Sequence, residues 1–133
     1  MRLMLLRHAK SEKAEPGMSD HPRRLNARGK NDASLIGAYM ARHALAADLV
    51  LVSTAERTRQ TWERVAAALS KPPKVVYEER LYNAGAEAII ALVNRPVEGQ
   101  PQCRRASVPI PKFASLSRSL VCELRNRRTL ATY

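Results

Sequence analysis

The chain is short of the groups that define several protein classes. None of its apolar runs approaches the ~20 residues of a membrane span, so we expect no membrane partner. Only four apolar residues separate Arg2 from Arg7, too few for a secretory leader, and a cytoplasmic location is the expectation. Two cysteines, Cys103 and Cys122, make no disulfide framework. No metal-ligand spacing is present. There are three histidines, His8, His21 and His43, all in the N-terminal part. At 133 residues, the chain has room for one core but not two.

Acidic residues are scarce towards the C-terminus. Residues 1–93 carry 15 Lys+Arg against 10 Asp+Glu, whereas residues 94–133 carry eight against two. Less than a third of the chain therefore holds more than half of the net charge of +11. A basic tail can meet nucleic acid or an acidic partner. Beyond Phe113 and Tyr133 it lacks aromatics for base stacking, which argues against nucleic acid.

What is present is an alternation of strands and helices. Leu3 to Leu6 reads as a buried strand ending in Arg7-His8. A polar loop follows over residues 9–25, too irregular for a helix and long for a mere connection. Asn26 is placed to cap the next helix, where Leu35, Ile36, Tyr39, Met40 and His43 predict the apolar stripe. His43, at the end of that helix, reads as a boundary residue. Asp48 to Ser53 is almost continuously apolar, as in a parallel strand covered on both faces. A helix over roughly 55–69 buries Trp62, Val65, Ala66 and Leu69, and Lys71-Pro72-Pro73 stops it. Lys74 to Glu78 is a third strand, and Gly85 opens a helix from Ala86 to Val93. The order predicts an α/β sandwich around a mainly parallel sheet.

The pattern stops at Asn94. Half of the eight prolines fall in residues 94–133: Pro96, Pro101, Pro109 and Pro111. Val108 and Ile110 alternate with prolines and can form an edge segment at most. Ser115 to Leu130 is expected to give a short basic helix, and no central strand is visible. We read residues 1–93 as the N-terminal part of one domain and residues 94–133 as a divergent basic Pro/Ser/Arg-rich tail. Its composition fits a shifted reading frame, a truncated gene or poor order. On that reading the sheet loses a strand and has an unpaired edge.

Four clusters carry candidate chemistry. Arg7-His8 sits at the carboxyl end of the first strand, where open α/β sheets bind ligands. The imidazole can act as a nucleophile, and a guanidinium can hold phosphate oxygens; alone, the dipeptide is equally an ordinary strand end. Arg57 lies in the first turn of a helix, against the helix dipole, which makes sense if an anion binds there. Arg59 and Arg64 read as solvated. Arg23 can reach a phosphate or fix its loop, and Arg24 reads as a surface residue. Glu78 and Glu79 follow the third strand. Either can donate a proton if burial raises its pKa, or both are solvated.

Leu6-Arg7-His8-Ala9-Lys10-Ser11, Asp20-x-x-Arg23-x-Leu25-x-x-x-Gly29, Ser53-x-Ala55-x-Arg57-Thr58-x-Gln60-Thr61 and Glu79-Arg80-Leu81-Tyr82-Asn83-Ala84 occur in that order. Together they closely resemble the histidine phosphatase superfamily, and within it the small SixA-type phosphohistidine phosphatases, over residues 1–93. The resemblance implies a phosphoglycerate mutase-like, three-layer α/β/α sandwich, here C-terminally incomplete. It implies His8 as the nucleophile that becomes a phosphohistidine, and Arg7 and Arg57 as clamps on the phosphoryl oxygens. Arg23 and Ser11 join Arg7 and Arg57 as phosphate-binding residues. Glu79 is the implied proton donor, with Glu78 competing, and the resemblance implies no need for a metal or organic cofactor. The implied substrate is a phosphorylated protein carrying phosphohistidine, or a small phosphoester. One departure stands out. The family has a second catalytic histidine in a Gly-His-Asn-Pro type segment after the third helix, and this chain has no Gly-His. His21, in the loop, is a poor structural substitute. The alternatives are a remnant that binds phosphate without turnover and a basic protein binding nucleic acid or an acidic partner.

Overall fold

The computed structural model describes residues 2–94, 121–122 and 128–132. Strand β1 (Arg2–Leu6) leads through the long loop to helix α1 (Ala27–Arg42). Strand β2 (Leu49–Ser53), helix α2 (Glu56–Ala66) and strand β3 (Lys74–Glu78) follow. A 3₁₀ turn (Glu79–Leu81) then precedes helix α3 (Ala86–Val93). Strands β4 (Val121–Cys122) and β5 (Arg128–Thr132) complete the sheet in the order β3-β2-β5-β1-β4. The pairs β3-β2, β2-β5 and β5-β1 are parallel; β4 runs antiparallel on the edge, with Leu3 opposite Cys122.

Every residue of β2 is buried, because each face of the sheet is covered. Strand side chains alternate, so Val50 and Val52 meet Met40, Trp62 and Val65 of α1 and α2. Leu49 and Leu51 turn to the other face, against Leu81, Ile89 and Leu92. These are the three layers the sequence implies. Burying one such aliphatic side chain stabilises by about 1.5–3 kcal/mol.

Three expectations need correcting. The stripe predicted for α1 is on the wrong face: Leu35, Ile36 and Tyr39 are exposed, and only Met40 of that set is buried. The helix buries Gly29, Ala33, Gly37 and Met40 instead. A Cβ on Gly37 would lie 2.9 Å from Val65 Cα. Small residues therefore let α1 approach the backbone of α2, which outweighs the larger residues' preference for burial. A central strand does exist: β5 comes from the tail and lies between β1 and β2. It leaves no gap in the sheet among the described residues. Finally, Val121–Cys122 and Arg128–Thr132 are strand, not part of a basic helix. Cys103, Val108 and Ile110 lie outside the described residues, as do residues 115–120 and 123–127 of the expected helix.

Candidate active site

The parallel strands β1, β2 and β3 all end at one edge of the sheet. Arg7-His8, the 54–57 turn and Glu79 follow those ends in sequence, so topology gathers the predicted residues there. The long loop is tied down at its base. Ser11 bridges to Leu25, Glu12 N–H donates to Arg24 O at 2.9 Å, and Asn26 N–H donates to Lys10 O at 3.1 Å. Asn26 caps α1 by accepting from Gly29 N–H at 2.8 Å. Gly29 is required at that turn, since a Cβ would overlap the Lys10 carbonyl. The expected cap and the glycine of the second motif thus serve one purpose, closing the loop beside His8.

Helix α2 holds the other side. Ala9 N–H donates to Thr61 Oγ1 at 3.1 Å, and the Thr61 hydroxyl donates to Arg57 O at 2.7 Å. Gln60 Oε1 accepts from Leu25 N–H at 2.9 Å. The His8 segment and the Arg57 turn are therefore bonded through one buried threonine.

The hydrogen bonds of His8 fix its tautomer. Nδ1 lies 2.8 Å from the Ala9 carbonyl, which can only accept, so Nδ1 carries the proton. Nε2 lies 3.1 Å from Arg57 Nε, which can only donate. The Nε2 lone pair thus faces the guanidinium. Burial lowers the His8 pKa below 6.5. The bond to Ala9 opposes that shift, while the charges of Arg57, Arg7 and Arg23 add to it. The imidazole is thereby biased towards its neutral, nucleophilic form.

Arg57 is buried and donates to three acceptors. Besides His8, Nη1 donates to Asp20 O at 2.9 Å and Nη2 pairs with Asp20 Oδ2 at 2.8 Å. Asp20 Oδ1 pairs with Arg23 at 3.2 Å, and the Tyr82 hydroxyl donates to Oδ2 at 3.1 Å. Partial burial pushes the Asp20 pKa up, but Tyr82, Arg57 and Arg23 outweigh it and hold the carboxyl below 3.8. The Asp20 side chain is 41% exposed; water screens the pair, so it contributes orientation more than stability.

The structure brings together His8, Arg57 and Arg23, and the exposed Arg7 is near enough to act on His8 electrostatically. Arg23 Nε is buried with no hydrogen-bond partner among the described residues. Ser11 contributes through its backbone, in the bridge to Leu25. Glu79 is exposed in the 3₁₀ turn and not drawn into the hydrogen-bonded cluster around His8. Glu78 is engaged by Arg80, with bonds of 2.9 and 3.0 Å. His21 donates to or accepts from Thr54 Oγ1 at 3.0 Å and packs edge-on against Tyr82. Asp20 and Tyr82 stand within the recognised motifs, but sequence reasoning gave neither a role. The signal was a carboxylate three residues before an arginine, in a segment otherwise suited to an anion.

Residues 3–88 match the model of the histidine phosphatase superfamily, branch 1. The chain belongs to that superfamily. An uncharacterized protein of Mycobacterium tuberculosis strain H37Rv is 40% identical over 90 residues, covering 68% of this chain and 54% of its own length. An uncharacterized protein of Mycobacterium leprae strain TN is 40% identical over 88 residues, covering 64% and 52%. The chain spans about half the length of the curated relatives it matches. Among solved structures it is similar to a candidate phosphohistidine phosphatase, SixA, of Agrobacterium tumefaciens, with a TM-score of 0.72 and 28% identity over 98% of this chain and 67% of that one. The protein histidine phosphatase SixA complexed with tungstate shares the fold, with a TM-score of 0.67 and 19% identity over 99% of this chain and 68% of that one. No described helix is long and apolar enough to cross a membrane.

Proposed function

We propose that the chain is a phosphomonoesterase of the phosphohistidine phosphatase type, acting through a phosphohistidine on His8. The observation that carries this reading is the Nδ1-protonated imidazole whose Nε2 lone pair faces Arg57. Nε2 attacks phosphorus, the bond to the leaving group breaks, and Arg57, Arg7 and Arg23 offset charge on the phosphoryl oxygens. The Arg23 Nε–H is a ready donor for one of those oxygens. Water then attacks the phosphohistidine, releasing phosphate and restoring His8. Glu79 is the carboxylate assigned to the leaving-group proton. The relatedness to SixA proteins supports phosphohistidine on a protein as substrate, with small phosphoesters as the wider class.

A second reading is phosphate binding without turnover. It is favoured by the exposure of Glu79 and by the lack of any histidine beyond His43. Hydrolysis of an aryl phosphate, with His8→Ala as control, separates the two. Activity that vanishes in His8→Ala, with a phosphoprotein trapped by alkaline quench and lost on acid treatment, is the expected result. Equal background rates in both proteins would leave phosphate binding as the function.

A further inference from the structure

We propose that Asp20 is the positioning residue of this site, a carboxylate that holds the Arg57 guanidinium against His8 Nε2. The inference rests on the phosphoryl-transfer reading above, since it concerns the same imidazole. Arg57 starts from the first turn of α2, and its long side chain must be aimed by its partners. Two of its contacts do so, and both are to Asp20, one to the backbone carbonyl and one to the carboxylate. The remaining nitrogen, Nε, then donates to His8 Nε2 at 3.1 Å.

The same carboxylate fixes Asp20 itself. Tyr82, after the 3₁₀ turn, donates to Oδ2, and Arg23, from the same loop, pairs with Oδ1. Arg57 also lies 5.9 Å from the Tyr82 ring centroid. Two segments distant in sequence, bearing Arg57 and Tyr82, therefore converge on one side chain. With donors on both carboxylate oxygens, Asp20 is an acceptor in this cluster, and its part is to orient.

The test is to follow the His8 imidazole by NMR titration in the wild-type chain, Asp20→Ala and Asp20→Asn, with His8→Ala assigning the resonance. Loss of the Asp20 charge by itself would favour neutral His8 and lower its pKa further. Release of Arg57 from His8 acts in the opposite direction. We expect the His8 pKa to rise towards 6.5 in Asp20→Ala, and less in Asp20→Asn, which keeps one acceptor. Where the wild type turns over an aryl phosphate, kcat falls about 100-fold in Asp20→Ala, the cost of a misplaced catalytic group. A His8 pKa that stays or falls in both variants overturns the proposal. The titration needs no turnover, so an inactive wild type would count against the phosphatase reading and leave Asp20 still judged. Asp20→Asn, similar in volume, serves if the alanine variant does not fold.

Discussion

The two halves of the site are built differently. On the β1 and β2 side, His8, Arg57, Asp20 and Thr61 are joined by hydrogen bonds of 2.7–3.1 Å, and Arg57 and Thr61 are buried. On the β3 side, Glu79 is exposed in a single 3₁₀ turn. On the proposed reading, the half that would hold an anion is preorganised, and the half that would protonate a leaving group is open to water. Binding a phosphoryl group and expelling what it was attached to are thus separable demands, and the proposed site is better built for the first. A substrate whose leaving group departs without help suits such a site best.

Three experiments break or sharpen that contrast. The largest effect is expected from Arg57→Ala, which removes a buried donor aimed at the nucleophile. It should lower kcat for an aryl phosphate by about 100- to 1000-fold. It should also abolish the rise in thermal midpoint that phosphate gives the wild type, which a melting curve at increasing phosphate would show. Retained protection would mean the anion sits elsewhere.

The next effect is on pH dependence. His8 must be neutral to attack, and its pKa is lowered, so kcat/KM should hold below pH 6.5 and fall only as pH drops through the lowered value. Arg57→Ala removes one of the charges that lower it, so the acid limb should move up. Stability follows the same sign. The unfolded chain binds the His8 proton more readily, so this group costs the fold nothing above 6.5 and progressively more as pH falls from there to the folded value. An acid limb above 6.5 would contradict the burial of His8.

The smallest effect is expected at Glu79. With an aryl phosphate, whose phenolate leaves readily, Glu79→Gln should change kcat by less than about 10-fold, below the range usual for general acid catalysis. With an alkyl phosphate the loss should be larger. Equal losses on both would show that Glu79 acts on the phosphoryl group instead.

Much of this architecture is written locally. Asn26 as cap, the continuous apolar run of β2 and the bounds of β3 and α3 follow from neighbours in sequence. The buried face of α1 does not, because Gly29, Ala33 and Gly37 look like filler until α2 is seen pressed against them. Strand β5 hides for a related reason: Arg-Thr-Leu-Ala-Thr has one large apolar residue and gains its place from partners on both sides. At the site, His8 and Arg57 could be read from the motifs. Sequence reasoning gives Asp20 no role, since only Arg23 is its neighbour in sequence while its donors Arg57 and Tyr82 come from distant places in the chain.

The central place of β5 also sets an order of events. It alone joins β2 to β1 in the sheet, with Val52 and Leu6 both opposite Thr132. During synthesis β2 can zip to β3 early, while β1 waits for a partner made long afterwards. Closing such a distant pair is slow, because the chain between must be confined before the contact is rewarded. Until then β1 lacks its neighbours in the sheet, so the segment bearing His8 is expected to be among the last parts of this molecule to find its setting.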